Sequence, residues 1–258
     1  MTRPFILITG DDSVRAEGTI LVKRVVEKFA DFKIIATKDQ QSAVSGKMNF
    51  RGGAWGIENV DGVEAIWVEG SPVDSVKFAL SYLERTPDIV ISGMNTGENV
   101  DNSIMASGTF AAALHSTFCH HIPSLALSKE VDIDDTSWLD PHTGSFREEL
   151  LDYPGVILEK IIQRFIEESN TRKGMWNVNF PIKPTEKIKF TANYSDNYFP
   201  NRIKVDERKF SYINESDLSN IKLVSDVRAM LDNFVSITPI KWDPTNWEEL
   251  QRLNGAPL

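Results

Sequence analysis

Apolar runs of strand length alternate with amphipathic stretches of helix length through the first half of the chain. Residues 5–9 (FILIT) read as a short buried strand that stops at Gly-Asp-Asp-Ser. Residues 19–29 (TILVKRVVEKF) carry apolar positions at helical spacing, and residues 33–37 (KIIAT) read as a second buried strand. A strand, loop, helix and strand in that order imply a parallel pair joined by a crossover. A further strand at 65–68 leads into Ser71-Pro72-Val73-Asp74, which predicts a helix over 73–84. There the serine caps, the proline suits the first helical position and the aspartate complements the helix dipole. Residues 88–92 (DIVIS) form another buried strand that runs into the polar stretch GMNTGENVDNS, followed by a helix over 109–118 and a strand at 123–127.

This alternation predicts an α/β fold: a doubly wound, mainly parallel, Rossmann-like sheet. In such sheets ligands bind beyond the carboxyl ends of the strands. The polar loops at 10–13, 38–46 and 93–107 all follow strands and are therefore expected on one edge. Residues 129–153, with Asp132, Asp134, Asp135 and Asp140, read as an acidic surface insertion, followed by a helix over 154–168 and a strand at 176–181. From 182 onward the rhythm stops, leaving a loop at 193–201, a helix at 223–231 and a strand at 234–240. The chain thus divides into an α/β core, 1–181, and a C-terminal extension, 182–258, too poor in apolar residues for a core of its own. An apolar strand such as 234–240 invites aggregation when exposed, so the extension is expected to be an arm that packs on a partner subunit.

Composition narrows the function. A chain of 258 residues with 41% hydrophobic and 25% charged residues is an ordinary globular protein, which excludes disorder, a collagen-like fibre and a coiled coil. Its 28 basic and 37 acidic residues give a net charge of −9, which repels phosphate backbones and argues against general nucleic-acid binding. Small anionic substrates stay open if a metal screens them. The single cysteine, Cys119, cannot form an intrachain disulfide and suits a reducing cytoplasm. The N-terminal apolar run is interrupted by two aspartates, unlike a signal peptide, and no stretch approaches the ~18 apolar residues of a membrane span.

Three features carry candidate chemistry. Asp11 and Asp12 concentrate charge at a strand end, which a hard divalent cation with its preference for oxygen ligands would neutralise; an aspartate N-cap is the plainer alternative. In Gly93–Asn99, Asn95 and Asn99 offer neutral oxygens and amide donors, although asparagine and glycine also favour ordinary turns. Ser107-Gly108-Thr109 opens a helix, where N–H groups and the dipole make a phosphate site or where a hydroxyl simply caps. Their common position on one sheet edge favours a metal-plus-phosphate site. Other features argue for less. Cys119-His120-His121 has no second cluster for zinc, and His115 and His142 read as packing or surface residues. Gly52, Gly53 and Gly56 do not form a dinucleotide fingerprint, and Gly46-Lys47-Met48 is not a phosphate-binding loop.

Taken in order, LITGDD, QQSAVSG, VEGSPVDSVKFAL, PDIVISGMNTGENV, SGTFAAAL, IPSLALS, WNVNFP and SDVRAMLDNFVSITPI resemble the SurE family of survival proteins, which are metal-dependent nucleotide phosphatases. The resemblance implies one divalent cation per subunit, Mg²⁺ or Mn²⁺, held by Asp11, Asp12, Ser42 and Asn95. It implies phosphate contacts from Asn99, Ser107, Gly108 and Thr109, with Asp11 and Asp12 as the catalytic carboxylates. It further implies a homodimer with exchanged C-terminal arms, or a tetramer built from such dimers. Where the family reads Asn-Asp-Asp-Gly, this chain has Gly10-Asp11-Asp12-Ser13.

The function expected is hydrolysis of nucleoside monophosphates to nucleoside and phosphate in the cytoplasm. The Gly10 and Ser13 departures motivate an alternative, a non-catalytic nucleotide- or phosphate-binding descendant, against which the intact ligand set argues. A dinucleotide oxidoreductase would suit the fold class but lacks its glycine fingerprint.

Overall fold

The computed structural model describes residues 3–132, 146–169, 171, 174–194, 198, 203–212, 218–219 and 221–255. Its frame is a nine-stranded sheet in the order β3-β4-β2-β1-β5-β6-β7-β11-β8. Here β1 is Phe5–Thr9, β2 Asp31–Thr37, β3 Trp55–Val60, β4 Val63–Val68, β5 Ile89–Thr96, β6 Ser124–Lys129, β7 Met175–Phe180, β8 Ile188–Phe190 and β11 Val235–Ile240. The central run from β4 to β7 is parallel throughout, while β3 and β11 pair antiparallel with β4 and β7. The expected α/β, mainly parallel class is the one observed.

Period-two alternation in the strands explains the two-sided core. Ile6 and Ile8 of β1 face one layer with Leu21, Val25, Ile161 and Phe165, from helices α1 (Glu17–Val26) and α4 (Val156–Ser169). Leu7 faces the other with Val76, Ala79 and Ala112, from α2 (Pro72–Tyr82) and α3 (Gly108–His120). The start of α2 has the expected chemistry: Ser71 accepts from the Asp74 N–H, Asp74 accepts from the Ser71 N–H, and Pro72 occupies the first turn.

Four differences from the sequence reading have physical causes. The β3–β4 hairpin was hidden because β3 is an edge strand with an exposed Trp55 and Ile57. A second hairpin, β9 (Ile203–Asp206) with β10 (Lys209–Tyr212), is short and exposed, and its apolar side chains Ile203, Val205 and Phe210 are not packed into the core. β5 runs four residues beyond Ser92, so Asn95 lies on the strand and not in the loop. The strand at 234–240, expected to need a partner's cover, is covered by its own chain, as β11 lies between β7 and β8 with Val235 and Ile237 buried. Among the exposed parts of the extension are β9–β10 and a terminal helix, α6 (Trp247–Asn254). Asp134, Asp135, Asp140 and His142 lie outside the described residues.

Candidate functional site

Strand order reverses direction between β1 and β5, since β2 and β4 extend from one side of β1 and β6 and β7 from the far side of β5. Crevices at such a switch point are the default ligand site of a doubly wound sheet. Asp11 and Asp12 follow β1 here, and Asn95 is the last residue but one of β5.

Both aspartates are buried. The Asp12 carboxylate accepts from the Thr96 N–H at 2.8 Å, which ties it to the end of β5. Asp11 is tied to α3: the Thr109 hydroxyl donates to its Oδ1, and the Thr109 N–H reaches its Oδ2 at 3.2 Å. The same hydroxyl lies 3.4 Å from Oδ1 of Asn95, so Asp11, Asn95 and Thr109 form one oxygen-rich cluster. Burial, reinforced by the neighbouring Asp12 charge, pushes the Asp11 carboxyl up to about 7 despite the two Thr109 bonds. Burial and the adjacent like charge both oppose ionisation of Asp11.

The loop after β2 is brought to the same edge. Gln41 donates its N–H to the Asp11 carbonyl at 2.7 Å, and Ser45 donates to the Ala106 carbonyl at 2.8 Å. Ser42 follows Gln41 directly and is exposed on this loop. Two glycines let the elements close up. A Cβ at Gly93 (φ +118°) would stand 2.3 Å from the Leu127 carbonyl oxygen, and one at Gly108 would stand 2.9 Å from Oδ2 of Asp11. The start of α3 therefore rests against the carboxylate.

Of the remaining phosphate candidates, Ser107 adjoins the cluster at the start of α3, and Asn99 bonds to residues of β6 and β7; part of their polar capacity is in structural use. Ser107 is the N-cap of α3 and accepts from the Phe110 N–H at 3.0 Å. Asn99 is buried and donates from Nδ2 to Oγ of Ser128 at 2.8 Å. Glu98, beside it, is a residue the sequence reading passed over; burial pushes its carboxyl up to about 7, with a smaller contribution from Glu130. Only the fold reveals that burial. A cavity of about 300 Å³ opens beside the loop after β2, lined by Lys38, Asp39, Gln41, Lys47, Asn49 and Ser71; none of Asp11, Asp12, Ser42, Asn95, Asn99 or Thr109 lines it.

Among the described residues no three His, Cys, Asp or Glu side chains gather as a metal cluster. A cation here would be held by two carboxylates and neutral oxygens. The donor set of Asp11, Asp12, Ser42 and Asn95 is all oxygen, as hard cations such as Mg²⁺ or Mn²⁺ prefer, and its two carboxylates have charge to neutralise. The residues fit such an ion.

Comparison with known proteins gives the chain's family. The profile of the family described as "Survival protein SurE" matches residues 6–199. The protein named 5'-nucleotidase SurE of Methanocorpusculum labreanum is 30% identical over 266 residues, covering 100% of this chain and 99% of its own. Its namesake from Caldanaerobacter subterraneus is 28% identical, covering 99% and 98%. The crystal structure of the Sure protein from Aquifex aeolicus superposes with a TM-score of 0.78 at 22% identity, covering 97% of this chain and 98% of that one, a likeness of fold.

Proposed function

The chain belongs to the SurE family, and on that premise we propose that it is a divalent-metal-dependent phosphomonoesterase that hydrolyses nucleoside monophosphates to nucleoside and phosphate. The observation that carries this reading is the junction of Asp11 with Thr109, which sets a buried carboxylate pair against the N-terminus of α3. The first turn of a helix receives a phosphate through its N–H groups and dipole. Asp11, Asp12, Ser42 and Asn95 would hold one Mg²⁺ or Mn²⁺, which supplies Lewis acidity toward the phosphoryl oxygens. Asn99, Ser107, Gly108 and Thr109 bind and orient the phosphate, and Asp11 and Asp12 are the catalytic carboxylates.

Two further features belong to this reading. The partner is a second copy of the chain: Trp242, Trp247 and Leu253 are exposed at the C-terminus, and Ile203, Val205 and Phe210 on the β9–β10 hairpin. Apolar side chains gathered on extensions in this way mark contact surfaces. The compartment is the cytoplasm, consistent with one free, exposed cysteine; among the described residues no helix is long and apolar enough to cross a membrane.

The test is phosphate release from a panel of nucleotides by metal-stripped protein, with Mg²⁺, Mn²⁺ or chelator added. Release that depends on the cation supports the enzyme. The competing reading, a non-catalytic nucleotide binder, is favoured by Gly10 and by Ser13, which sits at φ +98°. Nucleotide binding without release under every metal would select it.

A further inference from the structure

The segment Trp176–Pro181 places two asparagines, Asn177 and Asn179, on one face of β7, and both are fully buried. Asparagine is poorly suited to a buried strand, where a β-branched residue packs better and needs no polar partner. The Asn177 Oδ1 has no hydrogen-bond partner among the described residues, an arrangement that costs stability. What these side chains hold explains their presence.

Asn179 is in register with Ser128 of β6, and Ser128 with Asn95 of β5, so a single row crosses three strands and ends at a candidate metal ligand. Asn99 folds back over that row. Its N–H donates to Oδ1 of Asn179 at 2.7 Å. Its carbonyl accepts from Nδ2 of Asn177 at 2.8 Å and of Asn179 at 3.0 Å. Its own Nδ2 donates to Oγ of Ser128 at 2.8 Å. Both backbone polar groups of Asn99 are therefore satisfied by side chains, and its amide plane is fixed by Ser128.

We infer that Asn179 and Ser128 are positioning residues that orient Asn99 for phosphate. An amide nitrogen has two protons, and Ser128 takes one, which fixes the direction of the other. Asn177 supports the same loop through the Asn99 carbonyl. The inference rests on the reading of Asn99 as a phosphate contact.

The experiment compares full-length wild type with Asn179→Ala and with the milder Ser128→Ala, folding being checked by circular dichroism. Calorimetry measures the affinity for inorganic phosphate at saturating Mn²⁺, and kinetics measure KM, kcat and the half-saturating Mn²⁺ concentration. Each folded variant is expected to bind phosphate about tenfold more weakly, with KM raised alike and the Mn²⁺ requirement unchanged, as expected for loss of one orienting hydrogen bond. Unchanged phosphate affinity in folded Ser128→Ala overturns the inference. So does a joint loss of Mn²⁺ and phosphate response, since a purely structural row would weaken both. Wild type that binds phosphate but hydrolyses no nucleoside monophosphate defeats the phosphatase reading alone, and the calorimetric comparison still decides the positioning role. Wild type without phosphate affinity defeats both.

Discussion

The hydroxyl of Thr109 donates to Oδ1 of Asp11 across 98 residues of chain, joining the first turn of α3 to the end of β1. Thr109 had been expected to face the phosphate alone, yet here it also steadies a candidate metal ligand. Thr109→Ala removes a bond to a buried carboxylate, an interaction worth about 1.5–3 kcal/mol. Hydrolysis of nucleoside monophosphates is expected to fall by about ten- to a hundredfold, with a raised Mn²⁺ requirement, whereas Thr109→Ser keeps most of both. Equal kinetics for the alanine and serine variants would show that the hydroxyl has no such part.

Asp11→Asn and Asp12→Asn each remove one charge from the buried pair. Both variants are expected to fold, because an amide of the same shape carries no charge into these buried positions. Metal-dependent phosphate release should disappear in both. Unchanged release by folded Asp12→Asn in chelator would contradict the metal-dependent mechanism.

Gly108→Ala tests the closeness of α3 to the site. The added Cβ would stand 2.9 Å from Oδ2 of Asp11 and 3.0 Å from Cγ of Pro72. The carboxylate is the more movable neighbour, so the strain falls on the site more than on the fold. Displacing a catalytic group by about 1 Å costs roughly a hundredfold in rate, and kcat/KM is expected to drop on that scale with the thermal midpoint little changed. Retained activity would mean that Asp11 moves aside freely.

The parts of this site that could be read from sequence share one property: their signal is local. Continuous apolar runs marked β1, β2 and β5, and the polar residues next to them marked the edge on which Asp11, Asp12 and Asn95 meet. The cradle under Asn99 carried no such signal, because Asn177 and Asn179 find their partner 78 and 80 residues away. The placement of β11 was hidden for the same reason. An apolar strand must be covered, but periodicity does not say whether by its own sheet or by another chain. The hairpins failed differently: β3 and β9 are exposed edges with little hydrophobic contrast to read.

Ser13 occupies a backbone conformation that favours glycine, with φ at +98°. Its hydroxyl offsets part of the cost by accepting the Arg15 N–H at 3.1 Å. Ser13→Gly removes the steric strain and loses that bond, for an expected gain of up to about 1 kcal/mol, or roughly 2–4 °C in thermal midpoint. Calorimetric scans of the two proteins decide it, and a lower midpoint for the glycine variant would mean that the hydroxyl outweighs the strain.

Asp226 is fully buried at the start of α5 (Asp226–Leu231) and accepts from the N–H groups of Asp101 and Val227 and from Nδ2 of Asn193. Burial raises its carboxyl from 3.8 to about 6, with the Asp101 charge adding to the shift. Between those values the folded chain binds more protons than the unfolded one, so this group favours folding below that window and loses that contribution as pH rises through about 6. Asp226→Asn does not titrate. Wild type should therefore gain in denaturation midpoint relative to the variant as pH falls from neutrality to about 4, and a constant difference would show that Asp226 ionises normally.

Removing residues 241–258 tests whether the end of the C-terminal extension contacts a second copy of the chain. The cut leaves β11 and the whole sheet intact, but removes Trp242, Trp247, Leu250 and Leu253, all exposed. α6 presents no buried residue to the rest of its own chain, so its loss should cost the monomer little. If these side chains bind a second copy, the shortened protein is expected to be folded and of lower mass than the full chain in light scattering. A cut at residue 223 should behave differently, because it also removes β11 and leaves the far edge of β7 without its antiparallel neighbour. That protein should aggregate, as an uncovered strand edge next to an opened core invites pairing with other chains. Equal masses for the full chain and the 241–258 deletion would place the contact between subunits elsewhere, and the β9–β10 hairpin, with Val205 and Phe210 exposed, is the next segment to remove.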